Sequence, residues 1–257
     1  MEETLDMLLK SGGTTMKVYI QSDKHHVPLD RDFFIAYCGF MEMGAEIIFF
    51  FTPEELRESY PEDVVVGYVG TVTQRLHEFG IEIPDLDYPE ELSAYLGRNV
   101  WHSTINTINT HPELWPVFVK SVKDKRITGR TIRSPKDLIG CGMWNSDQDV
   151  WCSNPVDFVT EWRCFVRYGH ILDVRHYKGD WRKSLDPNIV EAAVSSYASA
   201  PKAYGIDFGL TKDERTLLIE VNDGFSLGNY GLFYLDYAKL LATRWSELTH
   251  TSDAFNF

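Results

Sequence analysis

The sequence predicts an α/β chain: a parallel, helix-covered sheet in its first part and antiparallel hairpins (α+β) in its second. Three observations predict it. Between residues 16 and 84 short apolar runs alternate with capped amphipathic stretches, as in strands joined through helices. Residues 160–178 and 204–223 each hold two apolar runs around a polar turn, which is how a hairpin reads. At 257 residues the chain can bury one large core or two modest ones.

Taken in order, residues 1–15 read as a short helical tail with a Ser-Gly-Gly-Thr-Thr joint, where nothing carries chemistry. An N-terminal domain then spans 16–112. Lys17–Gln21 is its first strand, and Asp30 caps a helix through Phe33, Phe34, Tyr37 and Phe40 that stops at Gly44. Residues 46–51 form a buried strand, 53–59 a short helix, 64–69 another apolar strand, and 71–80 a capped helix. There is no G-x-G-x-x-G and no Walker loop in this region. Residues 89–96 read as a helix ended by Gly97, with Arg98 immediately after it. His102 and His111 lack a ligand-spaced partner and read as structural.

Pro112 and Pro116 bracket Trp115 and place a boundary there, opening a second domain over 113–257, divided into 113–153 and 154–257. Val117-Phe118-Val119-Lys120 is a buried strand ending in a lysine, and an unpaired buried ammonium is costly, so Lys120 calls for an anionic partner. A basic loop with Gly129 follows, then a strand at 150–153. In the hairpin 160–178, Glu161, Arg163 and Phe165 share a face, and a turn centred on Gly169 sets Arg163 opposite Arg175. Facing arginines repel unless an anion lies between them. Asp186-Pro187 opens a helix that runs towards Tyr204, with Pro201 set to break it early.

In the next hairpin a turn centred on Asp213 and Glu214 puts Asp207 across from Glu220, while Glu220 and Asn222 share a face. Two carboxylates and an amide oxygen thus converge. Like charges facing each other favour a cation between them, and hard oxygen ligands without Cys or His favour Mg²⁺ or Mn²⁺. Because these side chains face a cavity, substituting Asp207 or Glu220 is expected to spare the fold. A glycine-rich loop, 224–231, and a helix at 232–248 close the chain.

The formal charge of −13 argues against a nucleic-acid partner or an anionic membrane. Residues 120–183 carry thirteen Lys/Arg against eight Asp/Glu, a local +5, leaving twelve basic and thirty acidic residues, or −18, elsewhere. A basic middle in an acidic chain suits a compact polyanion such as a nucleoside triphosphate. The four cysteines form no C-x-x-C pair, no apolar run reaches membrane length, and the acidic N-terminus is unlike a secretory signal; a reduced, cytoplasmic protein is expected.

IDFG…LLIEVNDG resembles the metal-binding hairpin of the ATP-grasp superfamily, and EWRCFV resembles its strand whose Arg contacts the terminal phosphates. LGRNVWHSTINTI is similar to the corresponding stretch of a phage and bacterial clade of that superfamily, related to the eukaryotic cell-division-cycle ATP-grasp assembly factor. The resemblance covers roughly residues 98–232. It implies an ATP-grasp fold with an N-terminal Rossmann-like α/β domain, binding ATP with Mg²⁺ or Mn²⁺. Asp207, Glu220 and Asn222 would hold the metal, with Asn222 also beside the nucleotide. Lys120 would contact the α-phosphate and base, Arg98 would face the nucleotide, and Lys125 would lie on the loop closing over the phosphates. Trp151, Cys152 and Ser153 would form the hinge strand that offers backbone groups to adenine. The acid that many relatives carry there is missing, leaving Asp157 or Glu161 for the ribose. Arg163 and Arg175, with Lys120, would act on the transferring phosphoryl group. The implied activity is ligation of a carboxylate to an amine through an acyl-phosphate, on amino acids, peptides or a protein. The alternatives are an ATP-binding assembly factor that performs no ligation and a phosphotransferase. Neither the acceptor nor the oligomeric state is legible.

Overall fold

The computed structural model describes residues 16–122, 127, 129–142 and 146–257. The expected N-terminal tail and Lys125 lie outside the described residues. By contacts the chain forms two compact units. The first comprises Met1–Ile83, Pro201–Ala203 and Gly224–Phe257; the second comprises Pro84–Ala200 and Tyr204–Asp223.

In the first unit a three-stranded parallel sheet has the order β2-β1-β3, with β1 at Lys17–Gln21, β2 at Glu46–Phe50 and β3 at Val64–Val66. Helix α1, Arg31–Glu42, starts where the Asp30 carboxylate accepts the Asp32 N–H. The apolar run 64–69 is not one strand. It stops at Val66, the Tyr68 N–H turns to the Gln21 side-chain oxygen at 2.9 Å, and α2, Val69–Glu78, begins. The closing helix α6, Tyr234–Thr249, packs on α1 at Gly39, where an added Cβ would strike the Tyr234 carbonyl and the Ala238 methyl. Trp245 of α6 donates its indole N–H to the Pro61 carbonyl.

The second unit holds two four-stranded sheets. One has the order β4-β7-β5-β6, with β4 at Val100–Thr104, β7 at Asp149–Ser153, β5 at Val117–Ser121 and β6 at Arg130–Ile132. All its pairings are antiparallel. The other has the order β11-β10-β8-β9, with β8 at Phe158–Arg167, β9 at His170–Gly179, β10 at Ala203–Thr211 and β11 at Thr216–Asp223. Helix α3, Ser93–Leu96, is a single turn ended by Gly97 in the left-handed region, so the expected 89–96 helix divides into a 3₁₀ turn, Glu90–Leu92, and this α turn. Helix α4, Ile105–Thr110, follows β4. Helix α5, Pro187–Ser196, is capped by Asp186 but stops well before Tyr204, which is a buried residue of β10 paired with Asp223.

These units divide the chain differently from the sequence boundaries at 112/113 and 153/154. Strand β4 exchanges ladder bonds with β7, which ties residues 100–104 to the second unit, and the 224–257 segment goes with the first. One core of the second unit gathers Leu96, Cys164, Val190, Tyr204, Ile206 and Leu218; another gathers Ile108, Val119, Ile132, Val150 and Cys152. Among the described residues no helix is long and apolar enough to cross a membrane.

Candidate functional site

Strands β10 and β11 pair in the register read from the turn, with Asp207 opposite Glu220, and the register shifts just beyond, between Asp207 and Phe208. Alternation sends Ile206 and Phe208 into the core and Asp207 to the other face. Asp207 is 2% exposed and meets the guanidinium of Arg163 on β8 in a bidentate pair, Nε to Oδ1 and Nη2 to Oδ2, both 2.7 Å. Such a fork matches a carboxylate in geometry and charge. The Asn222 amide nitrogen donates to Asp207 Oδ2 at 3.3 Å and Glu220 Oε1 at 3.2 Å. In this structure the Asn222 N–H, rather than its oxygen, faces the two adjacent carboxylates, which an N–H donor serves better.

The facing sheet contributes a row of side chains. His102 on β4 and Lys120 on β5 are both register partners of Trp151 on β7, so the three share one face. The His102 and Trp151 rings lie 3.5 Å apart, and Tyr88 meets Trp151 edge-on at 5.0 Å. Lys120 has the anionic partners its burial demands. Its Nζ donates to Glu220 Oε2 and to Asp87 Oδ1, each at 2.8 Å, and lies 4.6 Å from the Tyr88 ring centre. The opposite face of this sheet, with Val119 and Cys152, lines the core, so Cys152 can offer the site backbone groups only, while the buried Ser153 alternates onto the face of Trp151.

Arg98, set just past the left-handed Gly97, donates to the Leu96, Leu218 and Ile219 carbonyls at 3.0, 2.7 and 2.9 Å. It thereby fixes the end of α3 against β11, and an added Cβ at Gly97 would meet the Leu217 side chain. Arg163 and Arg175 are register partners as expected, but no shared anion is needed to reconcile them. Arg163 is satisfied by Asp207, and Arg175 Nη2 reaches Asp173 at 2.5 Å while its buried Nε has no hydrogen-bond partner. Of the two acids weighed for the ribose, Asp157 is exposed, and Glu161 already accepts from the Tyr177 hydroxyl at 3.0 Å and Lys178 at 2.6 Å.

Electrostatics tie these groups together. Burial raises the pKa of Asp207 against the pull of Arg163, with Glu220 and Glu161 pushing the same way. Burial also works against ionised Glu220, but Lys120 outweighs it and the carboxyl sits below its usual range. Desolvation would lower Lys120; Glu220 and Asp87 together hold it above its ordinary value. Burial, then Asp207 and Glu161, push Tyr177 far up, so its phenol is a permanent proton donor to the carboxylates around it.

No group of three or more His, Cys, Asp or Glu able to hold a metal occurs among the described residues. The candidate set is two carboxylates and one amide, hard donors that suit Mg²⁺ when phosphate oxygens complete the shell. Each carboxylate has about four lone-pair sites, room for these donors and a cation together. Sequence reasoning missed Asp87, Tyr88 and Tyr177. The first two lie on an irregular segment without periodicity. Tyr177 sits at the register shift beside Glu161, which re-aims its side chain.

Known proteins sort this arrangement. No curated protein matches the sequence. Among solved structures, D-cycloserine synthetase DcsG superposes with TM-score 0.58 at 14% identity, covering 89% of this chain and 99% of that one. D-alanine–D-alanine ligase from Bacillus anthracis, complexed with ATP, gives 0.54 at 14% identity over 92% and 97%. The ATP-grasp ligase PsnB, complexed with its minimal precursor, gives 0.51 at 14% identity over 89% and 99%. At such identities these likenesses bear on the fold alone, which matches that of ATP-grasp ligases. A family model described as an ATP-grasp domain, the second family of its clade, matches residues 95–240, a span that takes in the lysine strand, the arginine hairpin and the carboxylate hairpin. That span is more than half of the chain, and the protein belongs to this ATP-grasp domain family.

Proposed function

We propose that this chain is a Mg-ATP-dependent ligase that joins a carboxylate to an amine through an acyl-phosphate. One observation carries the reading: Lys120, Arg163, Asp207, Glu220 and Asn222 form one connected polar cluster between two sheets of the second unit. A fold matched by proteins named as D-alanine–D-alanine ligase, D-cycloserine synthetase and an L-amino acid ligase supports the reaction class. PsnB in complex with its precursor supports a peptide as one candidate acceptor.

Asp207, Glu220 and Asn222 would hold the Mg²⁺, with Asn222 turning its amide oxygen inward. Bound ATP supplies the phosphoryl group that activates the carboxylate. Lys120 would lie against the phosphates. Arg163 keeps Asp207 in one orientation, and Arg175, with its Nε unused, would neutralise charge on the terminal phosphate. Such contacts matter most where negative charge spreads over the moving group. Trp151, Cys152 and Ser153 would offer backbone groups to adenine.

The test is a screen of amino acids, peptides and other carboxylates for ADP release, with hydroxylamine in place of the amine. The expected result is a hydroxamate that requires ATP, Mg²⁺ and the right carboxylate together. Neither ADP nor hydroxamate across the screen, with ATP-dependent capture of a protein partner, overturns the ligase reading in favour of an assembly role.

A further inference from the structure

Lys120 has three N–H donors. Two are used by Glu220 and Asp87 at 2.8 Å each, and the third side of the ammonium faces the Tyr88 ring. A phosphate can reach this ammonium only if one of these groups leaves. Glu220 cannot leave readily: it sits on a paired strand and is held by Asn222. Asp87 and Tyr88 differ. They lie between Ile83 and the 3₁₀ turn Glu90–Leu92 without regular structure, their main chain braced locally by an Asp87 N–H bond to Asp85. Tyr88 has φ +54°, a left-handed conformation uncommon for an aromatic residue. Backbone strain of this kind persists where surrounding contacts impose it, and it clusters at clamps and switch segments.

We infer that Asp87 is an internal competitor for the nucleotide: the Asp87–Tyr88 pair latches Lys120, and nucleotide phosphate must displace the Asp87 carboxylate to bind. Exchange of one anion for another on Lys120 keeps the buried ammonium paired throughout. Release of the segment also lets Tyr88 leave its strained conformation and its contact with Trp151. The latch sets nucleotide affinity. This inference rests on the nucleotide reading of the site.

Asp87→Asn keeps the shape and removes the competing charge. Isothermal titration with Mg and a non-hydrolysable ATP analogue should show Asp87→Asn binding about tenfold more tightly than wild type, a gain of about 1.4 kcal/mol. Asp87→Asn/Lys120→Met should bind no more tightly than Lys120→Met alone, because the competition is for Lys120. Hydrogen exchange at residues 84–89 should accelerate when the analogue binds wild type. Binding by Asp87→Asn alone also supports the latch. Equal or weaker binding by Asp87→Asn, with a melting temperature like wild type, overturns the latch and leaves the nucleotide reading standing. If Asp87→Asn melts lower, unchanged exchange at 84–89 in wild type overturns it instead. Absence of binding by either chain removes the nucleotide reading and the latch with it.

Discussion

At the scale of single residues, Asp207, proposed above as a metal ligand, is also a stability determinant. The sequence suggests a carboxylate facing a cavity, whose replacement the fold tolerates. The structure buries it in a bidentate pair with Arg163, and removing one member of such a pair strands the other charge away from water. Asp207→Asn should therefore lower stability by roughly 3 kcal/mol, read by urea unfolding, besides weakening Mg²⁺-dependent nucleotide binding. A loss below about 0.5 kcal/mol, the size of an ordinary surface change, would contradict the buried pairing. Glu220 gives a pH signature. Its pKa is held below the ordinary 4.5, by Lys120 against the opposing effect of burial, so this pairing stabilises the fold above that pH and is lost as pH falls through the depressed value. The stability difference between wild type and Lys120→Met should accordingly be full at pH 7 and shrink once the pH drops below 4.5. A difference that is constant with pH would show that Lys120 contributes by packing alone.

At the scale of elements, legibility followed how local the determinant is. Hairpin registers were readable because a polar turn and a two-residue period fix which residues face each other; Asp207 opposite Glu220 and Arg163 opposite Arg175 both came out that way. The Arg163–Asp207 pair was not readable, because it joins strands from separate hairpins that become neighbours only in the order β11-β10-β8-β9. The apolar run 64–69 misled because continuous hydrophobicity does not separate a strand end from a helix start. Asp87 and Tyr88 carried no periodic signal at all. The end of β9 offers an element-scale test. Gly179 has φ +90°, and a Cβ there would collide with the Val159 carbonyl across the hairpin that carries Arg163, Arg175 and Tyr177. Gly179→Ala should cost roughly 2 kcal/mol and lower the melting temperature. An unchanged melting curve would mean the hairpin end yields without strain.

At the scale of the whole molecule, charge is segregated. Residues 120–183 carry thirteen basic and eight acidic side chains, a net +5, while the rest of a chain of formal charge −13 carries −18. All of that basic segment, which includes Lys120 and Arg163, falls within the second unit. On the proposed reading, its charges would act on a nucleotide in two ways that salt can separate. Exposed ones such as Arg133 and Lys136 act through solvent, where the screening length falls from about 10 Å at 0.1 M salt to about 3 Å at 1 M. The side chains of Arg163 and Lys120 are 6% and 13% exposed, and contacts they make are screened far less. Ionic strength should then slow association of a fluorescent ATP analogue several-fold and leave its dissociation nearly unchanged, since steering is a property of the encounter. Arg133→Glu with Lys136→Glu should reproduce the slow association at low salt and flatten the salt dependence, with the off-rate intact. Stopped-flow mixing gives both rates. If salt instead accelerates dissociation with association constant, the nucleotide's charge is held by solvent-exposed contacts, and the buried Lys120–Arg163 cluster is not where its phosphates lie.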